Sequence, residues 1–164
     1  MAIVDLTQVL LPAQKAGYAV GAFNIQDLAS IHGVIRAAED LAAPVIINLA
    51  EVHLKYCNLQ ELALVLQYRA KAAKVPVVLN LDHGMSLEMI DTFIELGFSS
   101  VMIDVSAENL TENIDRTRTV VQKAHSQGVS VEAELGHVCG GEGNAYGSEV
   151  DSSMFTVPEE AALF

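Results

Sequence analysis

Residues 77–86 read VVLNLDHGMS: apolar residues suited to a buried strand, followed at once by a carboxylate, an imidazole and a glycine, Asp82, His83 and Gly84. An acid beside an imidazole is equipped for proton transfer or for gripping a metal ion. Adjacent residues of an extended strand face opposite sides, so the two can share a site only if the extended geometry ends between them. Gly84 permits that turn. Other polar groups stand in comparable places: Asn24 follows AVGAF, Glu51 follows VIINLA, Asp104 follows VMI and Glu134 follows VSVEA. Taken singly, Asn24 or Glu51 is an ordinary polar residue where a strand reaches the surface. As a set, Asp82, Asp104 and Glu134 around His83 would repel one another unless a proton or a metal offset the charge. A divalent cation is the natural resolution.

Such convergence requires strands that end at one face. The candidate strands YAVGAFN, PVIINLA, PVVLNLD, SVMIDVS and VSVEAELG are rich in valine and isoleucine and alternate with segments of helical period, the signature of parallel α/β architecture. Leu28, Ile31, Ile35 and Ala38 fall on one helical stripe, as do Leu59, Leu62, Leu66 and Ala70, and later Ile114, Val121 and Ala124. Asn58 with Glu61, and Asn109 with Glu112, have capping-box spacing, while Gly97 and Gly128 sit where helices should end. Pro12 lies inside the helical segment 6–16 and predicts a kink or early break there. In parallel α/β folds, ligands bind at the carboxyl ends of the strands, where these polar residues gather. An open doubly wound sheet and a (β/α) barrel both fit the pattern.

The chain has 164 residues, is 51% hydrophobic and carries a formal charge of −12. It is long enough for one domain with a sizeable core. The negative field argues against nucleic-acid or anionic-membrane partners, though a helix start or backbone nest can still bind a small anion. No apolar run is long enough to span a bilayer, and the start MAIVDLTQVL lacks a basic n-region. With only two cysteines, Cys57 and Cys139, a reducing cytoplasm is expected.

LDHG after the third strand, MIDVS after the fourth and VEAELGHV after the fifth, with YAVGAFN near the start, resemble the class II, metal-dependent ketose-bisphosphate aldolases that act on fructose or tagatose bisphosphate. The likeness extends over nearly the whole chain. It implies an α/β fold of the (β/α)8 TIM-barrel class, and an aldehyde-lyase that reversibly cleaves a ketose 1,6-bisphosphate to glycerone phosphate and an aldehyde. It implies zinc (Zn2+) as cofactor, with a second divalent or monovalent cation position beside it, a phosphorylated sugar as substrate, and a homo-oligomer. His83 matches a zinc ligand, and Asp82 the acid/base that exchanges a proton with the hydroxyl at the aldol bond. Asp104 and Glu134 match carboxylates of a second metal position or its approach, and Asn24 a substrate-contacting asparagine. Glu142, in GHVCGGEG, matches the loop acid that deprotonates the three-carbon ketose phosphate, and its glycines mark 136–148 as the most flexible segment.

Some of the family pattern is missing. The resemblance implies two more zinc histidines and a glycine-rich phosphate loop on later strands, beyond Phe164. A complete barrel takes about 250 residues, against five strands here, with Thr156 and Glu159 spaced as a capping box for another helix. Residues 1–164 therefore read as a single, C-terminally truncated barrel domain. Unpaired edge strands should favour association or poor solubility, with weak zinc affinity and negligible turnover. His32 and His125 read as helix-surface residues. His53 and His137 lie in rim loops and are less easily set aside as contacts to a metal or substrate, and Cys139 reads first as a small loop residue and second as an opportunistic ligand. Two other functions compete: a non-catalytic metal- or partner-binding module, and a barrel enzyme such as an isomerase or decarboxylase on another substrate.

Overall fold

Apolar runs too short for helices pair as a parallel sheet in the computed structural model, which describes residues 2–136 and 154–164. The strands are β1 (Gly21–Asn24), β2 (Val45–Ala50), β3 (Val77–Gly84), β4 (Ser100–Ile103) and β5 (Ser130–Ala133). Their spatial order is β1-β2-β3-β4-β5, every pair parallel. A doubly wound sheet would reverse its order at a switch point. Strictly sequential order is the barrel alternative, here supplied as five βα units.

Helices α1 (Leu6–Ala16), α2 (Leu28–Asp40), α3 (Leu59–Ala72), α4 (Leu87–Glu95), α5 (Leu110–His125) and α6 (Pro158–Leu163) accompany the strands. Alternation divides the sheet's residues between two faces. Val45, Ile47, Leu49, Val77, Leu79, Leu81, Val101 and Ile103 join Ile31, Ile35, Leu62, Leu66, Ile90 and Phe93 in the main core, between the sheet and the helices. Ile46 and Val78, on the opposite face, pack with Val9 of α1. That helix covers the strand-start end of the inner face.

A second sign marks the inner face as concave. Asn24 Nδ2 donates to Asp82 Oδ2 at 3.0 Å, although β1 and β3 are separated by β2. In a flat sheet, strands two positions apart lie about 10 Å from one another. Curvature toward this face brings the two side chains together.

Helix termini follow the sequence in part. Asn58 and Asn109 accept from the backbone N–H of Glu61 and Glu112, and Gly97 and Gly128 take φ of 79° and 72°. Full capping boxes form instead at Asp5 with Gln8 and Asp27 with Ser30. The early break expected at Pro12 does not occur. α1 continues to Ala16, capped at both ends and anchored by buried Val9 and Ala13, contacts that outweigh one missing donor. Thr156 does not cap α6 either: Val157 is the N-cap, Pro158 opens the helix, and the Thr156 hydroxyl donates to the Leu135 carbonyl at 2.6 Å. The α5 stripe is rotated by one position, with Asn113, Thr117, Val120 and Ala124 buried. Ile114 and Val121 are only half-buried. All four residues of β1, the terminal strand of the sheet, are exposed. No helix among the described residues is long and apolar enough to cross a membrane.

Candidate active site

The last residues of β3 bend in a way the sequence located one position too late. His83 itself adopts left-handed geometry, φ 49°, and the β3–β4 register shifts between Leu81 and Gly84. Such a conformation costs a non-glycine residue about 1–3 kcal/mol and persists only where surroundings enforce it. Gly84 contributes space: a Cβ there would stand 2.6 Å from Leu81 Cδ2 and 2.7 Å from the Met102 carbonyl oxygen. The turn at His83 breaks strand alternation, so imidazole and Asp82 carboxylate serve the same rim.

His83 Nδ1 lies 2.7 Å from Asp104 Oδ2 and 3.8 Å from Glu134 Oε2. Because an ionised carboxylate only accepts, Nδ1 carries the hydrogen in the Asp104 pair. Asp104 is aimed by its neighbour, its Oδ1 accepting from Ser106 N at 3.1 Å and Ser106 Oγ at 2.7 Å. One potential ligand atom from each of His83, Asp104 and Glu134 falls within 4.8 Å of the others, and this is the one such cluster of His, Cys, Asp or Glu side chains among the described residues.

Burial alone would favour the neutral imidazole, yet the Asp104 hydrogen bond and the charges of Asp82, Asp104 and Glu134 together raise the His83 pKa above its ordinary value. Burial likewise opposes ionisation of Asp104, but hydrogen bonds from His83 and Ser106 prevail and lower its pKa. Protonation of the imidazole would offset the carboxylates' charge. A divalent cation would offset it more strongly, and a mixed set of one nitrogen and two carboxylate donors suits zinc or a similar ion. The residues fit such a group. Three donors also fall one short of a closed tetrahedral site, leaving a position open.

Asp82, 9% exposed, is oriented by Asn24. The loop after β3 is held from two sides: Glu51 Oε2 accepts from Met85 N at 2.7 Å, and Arg116 Nη2 donates to the Met85 carbonyl at 3.4 Å. Below the rim, Asn80 Nδ2 donates to Asn48 Oδ1 at 3.2 Å and to Glu132 Oε2 at 3.1 Å. Burial, with the charges of Asp82 and Glu134 adding to it, raises the Glu132 pKa against the Asn80 hydrogen bond and the opposing influence of His83. The sequence reading did not single out Asn48, Asn80 or Glu132. For Asn80 and Glu132 the signal is period two, each standing two residues before Asp82 or Glu134 on its own strand, and Asn48 pairs in register with Asn80.

Glu142, His137 and Cys139 lie outside the described residues, as does most of 136–148. His32 and His125 are exposed on α2 and α5. His53 is half-buried in the 3-10 helix Glu51–Tyr56 after β2.

A family model described as class-II fructose-bisphosphate aldolase matches residues 4–164. The fructose-bisphosphate aldolase of Thermus caldophilus is 41% identical over 162 residues, covering 99% of this chain and 52% of that protein. That of Giardia intestinalis is 39% identical over 165 residues, covering 100% and 50%. Among solved structures, the YdjI aldolase from Escherichia coli K12 matches with a TM-score of 0.87 at 32% identity, over 98% of this chain and 57% of that one. Fructose-bisphosphate aldolase from Campylobacter jejuni gives 0.80 at 31%, over 99% and 54%. The chain spans about half the length of the curated relatives it matches. With sequential parallel strands, a rim of acid, imidazole and carboxylates, and a family match from residue 4 to residue 164, the chain belongs to the class-II fructose-bisphosphate aldolase family.

Proposed function

We propose that this chain carries the acid–base group and part of the metal site of a metal-dependent aldolase, one that cleaves a ketose bisphosphate, fructose or tagatose, to glycerone phosphate and an aldehyde. The observation that carries the reading is the shared rim: Asp82, held by Asn24, beside the cluster of His83, Asp104 and Glu134. Those three would hold a divalent cation, zinc by family likeness, which when bound supplies Lewis acidity for negative charge growing on substrate oxygens. Asp82 takes the proton of the substrate hydroxyl as the carbon–carbon bond breaks, and returns it in the synthetic direction. Asn24 keeps that carboxylate pointed into the site and offers its amide to substrate. Glu142 is the proposed acid/base for the carbon-bound proton of the three-carbon ketose.

By itself the chain is proposed to bind metal weakly and turn over negligibly. The exposed β1 edge and a three-donor cluster support that reading, and the same edge favours self-association. The setting proposed is cytoplasmic.

A chimera tests the activity. Residues 4–164 would replace the matching half of the Thermus caldophilus enzyme, and cleavage of fructose and tagatose bisphosphates would be followed through glycerone phosphate release. The chimera should cleave one of them in a zinc-dependent manner, and Asp82→Asn should lower the rate by about 10²–10⁴ while zinc content stays unchanged. Undiminished cleavage in that variant would refute the role given to Asp82.

A further inference from the structure

The β4–β5 ladder ends at the pair Ile103 and Ala133, so the Glu134 carbonyl lies beyond the reach of strand pairing. It is taken by a side chain from behind: Asn113 Nδ2 of α5 donates to it at 2.9 Å. Asn113 is 3% exposed and stands on the helix face that Val120 and Ala124 pack against the sheet. An apolar residue would suit that face better, since a buried amide must find partners for both its ends. Asn113 has both. Thr117 Oγ1, in the next turn, donates to Asn113 Oδ1 at 3.2 Å, which fixes the amide so that its Nδ2 faces the Glu134 carbonyl. The following carbonyl, of Leu135, is held by Thr156.

We infer that Asn113, braced by Thr117, is a positioning residue that sets the peptide of Glu134 and thereby aims its carboxylate at His83, preorganising the cation site. The inference rests on the metal-site reading above. A backbone group fixed one bond from the Glu134 Cα sets the direction in which that side chain leaves the main chain, and the carboxylate already stands 3.8 Å from His83 Nδ1. Without the tether, the Glu134 peptide would be held past the strand end only through its neighbour Leu135, and the cluster would have to order itself when the ion arrives. Partners that orient ligands in this way are typically worth about 10–100-fold in metal affinity or activity.

Zinc affinity of the full chain, read by competition with a chromophoric chelator, and the thermal midpoint without zinc would be measured for wild type, Asn113→Leu, Thr117→Val, Val120→Ala and Glu134→Gln. Asn113→Leu should weaken zinc binding about tenfold or more, and Thr117→Val should weaken it less. Val120→Ala, a cavity elsewhere on the same buried face, should lower the midpoint yet leave affinity within about twofold of wild type, since it touches no ligand. If Asn113→Leu does not fold, Asn113→Ser carries the same expectation. Wild-type affinity in the Asn113 variants, or an equal loss in Val120→Ala, overturns the inference. Should those variants bind normally while Glu134→Gln binds weakly, the positioning role alone falls. If Glu134→Gln also binds normally, Glu134 is no ligand, and the metal-site reading falls with the inference.

Discussion

The two ends of the concave face are built from the same strands and have opposite chemistry. At the strand starts, Ile46 of β2 and Val78 of β3 meet Val9 of α1 in a small apolar cluster. Two residues further along, the same strands present Asn48 and Asn80, and two further still β3 presents Asp82. The lower end is stabilised by removing apolar surface from water. The upper end cannot be, and three of its carboxylates are held by specific partners: Asn24 for Asp82, Ser106 for Asp104, Asn80 for Glu132. Stability and chemistry are thus separated along the strand by steps of two residues, so substitutions at the two ends should give different signatures.

Asp82→Asn in the chimera should produce the largest effect, confined to rate. Ile46→Ala should do the reverse, costing about 2–5 kcal/mol of folding stability in a denaturant melt while zinc affinity of the folded protein stays unchanged. A parallel loss of affinity would mean that the floor also shapes the rim. Gly84→Ala lies between the two ends. Its new methyl meets the Met102 carbonyl, a backbone atom that cannot rotate away, so about 1–3 kcal/mol of destabilisation is expected. Because it displaces the turn at His83, zinc binding should weaken as well, and a loss of stability without any loss of affinity would argue against that coupling.

The smallest effect is in pH dependence. His83 has a raised pKa, so its contribution to the metal-free chain is complete below its ordinary value of 6.5 and is lost as pH climbs through the folded value. Asp104 has a lowered pKa, so its contribution is complete above 3.8 and is lost as pH falls through its folded value. The pair therefore stabilises most between about 3.8 and 6.5, and a series of thermal melts should show His83→Gln flattening the decline on the alkaline side. Added zinc should reverse that limb, since a ligand imidazole must be deprotonated.

Much of this molecule was legible before its structure. The five strands and the rim positions Asp82, His83, Asp104 and Glu134 show in the sequence because each polar group interrupts or closes an apolar run. Strand order was not legible, since every βα unit looks alike to periodicity and only pairing distinguishes a barrel from a doubly wound sheet. The turn at His83 was assigned to Gly84 because glycine is the usual left-handed residue, whereas here the glycine is required by a close approach of backbone. Asn113 was hidden for another reason. Periodicity marks the apolar members of α5, Ile114 and Val121, and a buried amide whose partner is a main-chain carbonyl leaves no mark in it.

The central claim is that His83, Asp104 and Glu134 form one cation site, and the most direct measurement is anomalous diffraction at the zinc edge from crystals of the chain grown with zinc. The account predicts a peak at this rim within about 2.0–2.2 Å of a His83 ring nitrogen, with carboxylate oxygen from Asp104 or Glu134 in the same range. A zinc peak elsewhere on the chain with none at this cluster would contradict it.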